Sequence, residues 1–451
     1  MKIIKKWEDK KYNVQNYLYK DSNGLLILHT LNKQTLDTYA SFLLKAGAYF
    51  EKELNVPNGT SHFLEHLITK PNKDLKTRKE IDSFEFGNKN RAQIHTNAGT
   101  GFKYMSIYGF CNANREEDLM KRLKGMIDYP IENFNKEIEI ERKIILAELQ
   151  REYKPEKNSD LQFMNFALKG KVFNDDFSII GLNEENIKKI TVEDVTKAYN
   201  SLFKIDNAIL TIQSPNELSS NTLKYLSEIS KRLRNNGHFE AVIHPEILEN
   251  TNDFGYFYNA EAQGIRTFFF SFKKINKGAR DYKLDLLQNF TKELIKYVAF
   301  NELREKKGYI YGIKSVTDSF YSWDYRIRGF EIVTDFNNLE KSIKGLKEII
   351  ETKAIKFLKS KQGVKWFENW ISSFIFPHTP GYNEDYSENL GVSILSEEEI
   401  LDFEKAKEAA MKITVKDVEE YYIEQYIDKP TFTWVDTSEE IEKVKEVVQQ
   451  L

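Results

Sequence analysis

The chain has 451 residues and a single cysteine, Cys111, which excludes an intrachain disulfide framework. No apolar run approaches the length needed to cross a bilayer. The opening residues, MKIIKKWEDKKYN, contain no apolar core of signal-peptide length, so the sequence is expected to be a soluble, cytoplasmic protein. Net charge is only −3 and the isoelectric point is near 6.3, which gives no case for nucleic acid or an anionic membrane as partner. Histidine is scarce, at seven residues, so two of them in one helical turn stand out.

What is present suits a globular protein. Hydrophobic residues make up 41% and aromatics 13%, enough for well-filled cores, and the 30% of charged residues are mixed in sign, as on a solvated surface. At this length one core does not suffice, and two domains or more are expected.

The most informative stretch is His62-Phe63-Leu64-Glu65-His66, inside an apolar, helix-compatible segment. Histidines four apart on a helix project from one face, one turn apart, which suits two ligands of a single tetrahedral zinc ion. Glu65 is three residues after His62 and next to His66, placed to take a proton from a water at the metal's open side. A third ligand is needed. Residues 135–153 read NKEIEIERKIILAELQREY, a charged amphipathic helix with Ile138, Ile144, Ile145, Leu146 and Leu149 as its apolar positions. A carboxylate from this helix would complete a His-His-Glu set with water in the fourth position. Spacing alone does not choose among Glu141, Glu148 and Glu152.

An internal repeat organises the chain. ITVEDVTKAY begins at Ile190 and ITVKDVEEYY at Ile413, an offset of 223. LMKRLKG from Leu119 pairs with LEKSIKG from Leu339, and TYASFLLKAGAYF from Thr38 with IRTFFFSFKKIN from Ile265. This period, near half the chain, implies two copies of one domain. The division is expected near Asn235-Asn236-Gly237, giving domains at 1–236 and 237–451. Strand runs such as TYASFLL, KYMSIYGF and NAILTIQ, set against helices at 115–127 and 135–153, predict an α+β fold. It comprises two homologous α/β-layered domains with largely antiparallel sheets. Shifting His62–His66 by 223 lands on Asp285-Leu286-Leu287-Gln288-Asn289, so only the first copy carries a metal motif.

These segments together resemble the pitrilysin family of zinc metallopeptidases, the inverzincins, whose motif reverses the commoner His-Glu-x-x-His order. Within the family it resembles the half-length bacterial members and the mitochondrial processing peptidase subunits. It is carried by NGTSHFLEH from Asn58 and GNKNRAQIHTNAGTGFKYMSIYG from Gly87. Pro130 with IERKIILAEL, Ile179-Ile180-Gly181 before ITVEDV, and LREKKGYIYG from Leu303 extend it over nearly the whole chain. The resemblance implies one zinc ion per chain on His62, His66 and Glu148, with Glu65 as general base. It further implies that Glu141 orients the site and that Asn97 and Ala98 lie on an edge strand beside a peptide substrate. Arg304 and Tyr311 would reach the substrate from the other half. His66 and Glu148 are 82 positions apart, somewhat more than usual in the family, which places extra residues in the loop around Asn88 to Arg91.

The resemblance also implies a homodimer, or a heterodimer with a homologous subunit, enclosing a chamber for peptides or unfolded segments. Two rivals are an inactive or regulatory subunit, and a non-hydrolytic peptide binder with structural zinc. A structural zinc is usually closed by four protein ligands, and no fourth His or Cys lies near these motifs. His29, His95, His238, His244 and His378 are scattered, without ligand spacing, and read as ordinary core or surface residues.

Overall fold

The computed structural model describes residues 1–101, 103–152, 163, 184–233, 254–260, 262–274, 280–320, 325–376, 385–396, 399–427 and 432–449. They form two compact units. The first comprises Met1–Arg151, Ser178–Ile243 and His378–Ile400, and the second Glu152–Phe177, His244–Pro377 and Leu401–Leu451. Each unit therefore draws on both halves of the chain.

The first unit is built on a seven-stranded sheet. Its strands are β1 (Lys2–Asp9), β2 (Val14–Lys20), β3 (Leu26–Leu31), β4 (Asp37–Lys45), β5 (Ile94–Thr100), β6 (Tyr104–Asn112) and β7 (Ala208–Ser214). They lie in the order β1-β2-β3-β7-β4-β6-β5, antiparallel except for the β3–β7 pair. Sequence follows position. Central β7, AILTIQS, is buried at every residue, whereas edge strand β1, KIIKKWED, is largely exposed and carries Lys2, Lys5 and Lys6. Lysines on an exposed edge discourage pairing with another chain. The other edge, β5, pairs only with β6 among the described strands.

The two faces of the sheet are covered differently. On the face carrying Ala40 and Gly109 sit α1 (Thr60–Ile68), α2 (Arg78–Glu85), α3 (Glu116–Ile127) and α4 (Phe134–Glu152), with α3 so close that a Cβ on Gly109 would lie 2.7 Å from Leu119 Cδ1. The opposite face receives the helix Tyr386–Leu395, contributed from the second half of the sequence. Leu395 closes a small apolar cluster there with Leu18, Leu28, Leu43 and Ile209. Gly391 permits that approach, since a Cβ would stand 2.5 Å from Thr211 Cγ2 and 2.9 Å from Leu43 Cδ1. Tyr39 donates to Glu388 at 2.5 Å, and Tyr386 links Asn16 and Asp9 at 3.0 Å each.

The second unit repeats the plan. Its strands β8 (Phe254–Tyr258), β9 (Ile265–Lys274), β10 (Gly312–Phe320), β11 (Tyr325–Thr334) and β12 (Phe432–Thr437) order as β10-β11-β9-β12-β8. Again one pair is parallel, β8 with β12. Matching β3-β7-β4-β6-β5 to β8-β12-β9-β11-β10 reproduces order and strand sense. The helix Tyr282–Ala299, occupying the position of α1, carries Phe290, Leu294 and Ile295 into its core.

The 223-residue offset is visible in single bonds. α5 (Val192–Leu202) opens with a reciprocal cap between Thr191 and Asp194, and the helix Val415–Tyr426 opens with the same cap between Thr414 and Asp417. Such a pair satisfies two otherwise orphaned backbone donors. One turn further, Tyr199 donates to the Ile127 carbonyl at 2.6 Å and Tyr422 to the Ile350 carbonyl at 2.7 Å.

Two details differ from the sequence reading. The run from Thr38 is not extended throughout: β4 stops at Lys45 and Ala48–Phe50 form a tight helical turn. In α4, Ile144 is 44% exposed, and the inward stripe is Phe134, Ile138, Glu141 and Ile145. Helical spacing from Phe134 selects those positions, and Ile144 falls a third of a turn away from them. Ile179-Ile180-Gly181 and Asn235-Asn236-Gly237 lie outside the described residues.

Candidate metal centre

The site begins with how α1 starts. Gly59 stands before its first turn with φ of 95°, a left-handed conformation that disfavours side chains with a Cβ. Glycine has no side chain with which to cap the helix. The cap comes instead from Glu51, whose Oε2 accepts from Gly59 N–H at 2.9 Å and Oε1 from Ser61 N–H at 2.7 Å. Glu51 is 1% exposed, and burial pushes its carboxyl up to about 7 against the pull of those two N–H groups. α1 then buries Phe63, Leu64, Leu67 and Ile68, leaving His62, Glu65 and His66 half-buried on its other side.

α4 runs beside it. The Arg142 guanidinium lies 5.4 Å from the Phe63 ring centre and donates to the Ile190 carbonyl at 2.8 Å and to the Ile187 carbonyl. Its inward stripe presents Glu141 and Glu148 to α1. His62 Nε2 and His66 Nε2 are 3.2 Å apart. Glu148 Oε2 is 3.3 Å from His66 Nε2 and its Oε1 3.9 Å from His62 Nε2. These three side chains form the one group among the described residues able to hold a metal.

The dimensions fit zinc. Two nitrogens at roughly 2.0–2.1 Å from a tetrahedral ion stand about 3.3 Å apart, close to the spacing here. His66 is also prepared for the role. Its Nδ1 faces Glu141 Oε2 at 3.2 Å, so Nδ1 carries the proton and Nε2 keeps its lone pair for the metal. Glu141 is 1% exposed and receives Lys70 Nζ at 2.7 Å, giving a Lys70–Glu141–His66 chain. Glu141 thus stands behind His66, outside the group of His62, His66 and Glu148.

Charge states follow from these contacts. Burial, with His66 adding to it, pushes the His62 imidazole down to about 4, so it is neutral and free to ligate. Burial also opposes the His66 imidazolium, but Glu141, Glu65 and Glu148 outweigh it and hold that ring above its ordinary value. Glu141 is held below the usual carboxylate range because His66 and Lys70 overcome the effect of burial. Glu65, beside Thr100 at the end of β5, is raised chiefly by burial, and Glu148 adds to this while Thr100 and His66 oppose it. A carboxyl raised in this way is a better proton acceptor.

The remaining candidates lie on other elements. Asn97 is exposed on β5, its Nδ2 3.5 Å from Tyr108 Oη, and Ala98 is buried on the same strand. His95 is exposed and stacked on Phe110 at 4.6 Å, and His29 is fully buried against Ser214 Oγ at 3.1 Å. His238, His244 and His378 lie outside the described residues. Arg304 and Tyr311 belong to the second unit. Arg304 lies on the wide helical turn Phe300–Glu305, its guanidinium 4.9 Å from the Phe300 ring centre. Tyr311 is 61% exposed, beside a cavity of about 560 Å³ lined by Gln263, Ile265, Val333, Asp335, Phe336 and Glu439.

Comparison with known proteins agrees with this architecture. Residues 189–359 match the family model described as the peptidase M16 inactive domain. No curated protein matches the sequence. Among solved structures, a peptidase M16 inactive domain from Pseudomonas fluorescens superposes with a TM-score of 0.72 at 14% identity, covering 94% of this chain and 97% of that one. The fold is that of the M16 peptidases. The periplasmic protease PqqL from Escherichia coli gives a TM-score of 0.75 at 15% identity, over 98% of this chain and 49% of its own. Pitrilysin gives 0.70 at 14%, over 96% and 46% respectively. The chain thus spans the length of the first relative and about half of the other two. The matched model spans the middle of the chain, 189–359, and His62, His66 and Glu148 all lie before it.

Among the described residues no helix is long and apolar enough to cross a membrane. Sequence reasoning missed Glu51, Lys70 and Arg142. Lys70, four residues after His66, was within reach of helical spacing, but Glu51 and Arg142 carry no local signal.

Proposed function

We propose that this chain is a zinc-dependent endopeptidase of the M16 type, cutting peptides or unfolded segments. The observation that carries the reading is the convergence of His62 Nε2, His66 Nε2 and Glu148 on one point, with Glu141 fixing the tautomer of His66. Zinc, when bound there, supplies a Lewis acid that polarises a carbonyl and acidifies water.

The chain's own residues do the rest. A peptide lies extended along the outer edge of β5, near Asn97 and Ala98, as an added strand. Glu65 accepts the proton of the attacking water and delivers it to the departing amine. Arg304 and Tyr311 are suited to donate to a substrate carbonyl or to the developing oxyanion. Relatives about twice this length suggest that the chain works with a second copy or a homologous subunit, the two enclosing the substrate. In such a dimer Arg304 and Tyr311 serve the partner's zinc site.

The test is hydrolysis of a quenched peptide library by the purified chain, with and without a chelator, beside Glu65→Gln. Chelator-sensitive cleavage abolished in Glu65→Gln supports the reading; cleavage that survives both would sink it. Mixing Glu65→Gln with Tyr311→Phe restores activity if the second unit acts on the partner's site. The match to a domain described as inactive favours a second reading, a non-hydrolytic subunit. That reading requires zinc to bind without any cleavage, even beside a co-purified homologue.

A further inference from the structure

Glu51 is a buried carboxylate that the proposed chemistry does not use. An ordinary helix start would take Ser, Thr, Asp or Asn at position 59, at little cost. Here Gly59 occupies that position, and a carboxylate eight residues upstream is buried to replace the missing cap, although burying such a group is unfavourable. Both of its oxygens are engaged, on two N–H groups of one turn, so they fix the rotation of α1 as well as its end. Glu51 follows the turn Ala48–Phe50 that closes β4, and its own carbonyl accepts from Val56 N–H at 3.1 Å. Ser61 Oγ adds a bond to the Gly47 carbonyl at 3.3 Å. The residue after Ser61 is His62.

We propose that Glu51 is a positioning residue for the metal centre: its carboxylate ties the first turn of α1 to the end of β4 and so sets where His62 meets His66 and Glu148. The inference rests on the zinc reading above. α1 has only nine residues, and its two histidines are on its first and second turns. A small rotation of the first turn therefore separates His62 from the other two ligands while leaving the apolar face of the helix seated.

The experiment compares wild type, Glu51→Gln, Glu51→Asp and Thr191→Ala. The last removes a cap from α5, a helix that packs against α1 but carries none of the proposed ligands. Zinc affinity is read by competition with a chromophoric chelator. The visible bands of the Co²⁺-loaded protein report ligand geometry, and thermal melting of the metal-free protein reports stability. Glu51→Gln keeps the shape but turns an amide N–H toward an N–H donor. It is expected to weaken zinc binding at least tenfold and to alter the Co²⁺ bands, with partial recovery in Glu51→Asp. Thr191→Ala is expected to melt earlier with zinc affinity within about twofold of wild type. Wild-type affinity and an unchanged Co²⁺ spectrum in Glu51→Gln would overturn the proposal, however far its melting point falls. Should Glu51→Gln not fold, the same two readouts in Glu51→Asp decide. A wild-type chain that takes up no zinc would overturn the zinc reading and this proposal together, which separates the two failures.

Discussion

Replacing Glu141 by Gln tests the link between sequence pattern and metal chemistry most directly. In the protein this carboxylate, 1% exposed, accepts from His66 Nδ1 at 3.2 Å and Lys70 Nζ at 2.7 Å. Gln keeps the volume and one acceptor oxygen but removes the charge. Partners of this kind are worth about 10- to 100-fold in metal affinity, or roughly 1.4–2.7 kcal/mol. Lys70, at 26% exposure, can turn to water, so the loss of stability should stay near 1–2 kcal/mol. The pH dependence adds a sharper test. Zinc must displace the proton of His66, and Glu141 is among the groups that hold the His66 imidazole above its ordinary value. As pH falls, protons therefore compete with zinc earlier in wild type than in Glu141→Gln. The affinity gap should be widest near pH 8 and should shrink toward pH 6. Chelator competition across that range, with circular dichroism as a check on folding, measures it. A gap that is absent at pH 8, or that widens on acidification, would refute the assignment of Glu141 as the partner that prepares His66.

Other outcomes follow from the same geometry. Buried His29, pushed down to about 4, binds a proton less readily folded than unfolded, so stability should fall as pH drops from 6.5 toward 4. The full loss is about 3 kcal/mol, and His29→Gln should flatten that limb of the urea midpoint against pH. Gly391→Ala should destabilise the first unit by about 1–3 kcal/mol, because its methyl meets Thr211 and Leu43 at 2.5 and 2.9 Å; an unchanged melting point would show that the helix simply lifts. Thr191→Ala and Thr414→Ala should each cost about 1 kcal/mol, the two caps being copies of one design.

How much of this was readable from residues alone depends on the range of the interaction. The histidines were legible because both lie on one helix at a fixed period. So was the repeat, since Thr191/Asp194 and Thr414/Asp417 are local capping patterns. Glu148 was reached only through family resemblance, because helical spacing leaves Glu141 and Glu148 on the same stripe. Three dimensions separate them: Glu148 points at the Nε2 atoms, while Glu141 sits behind Nδ1. Ile144 was misread because any apolar residue in an amphipathic run looks inward, and only the partner surface chooses the stripe. Glu51 was invisible for a similar reason, since a cap supplied from another turn leaves no mark at the helix it caps.

The exchange of segments between halves has a consequence for how the molecule can be divided. A fragment ending at residue 243 would contain every proposed zinc ligand and all seven strands of the first sheet. It would lack Tyr386–Leu395, leaving Leu18, Leu28, Leu43 and Ile209 without their cover and Tyr39 without Glu388. The halves marked by the sequence repeat and the compact units do not coincide, so a cut between the repeats leaves the first unit incomplete. The half that carries the His62–His66 motif is therefore expected to complete its fold only once residue 395 has been made, after most of the motif-free half exists.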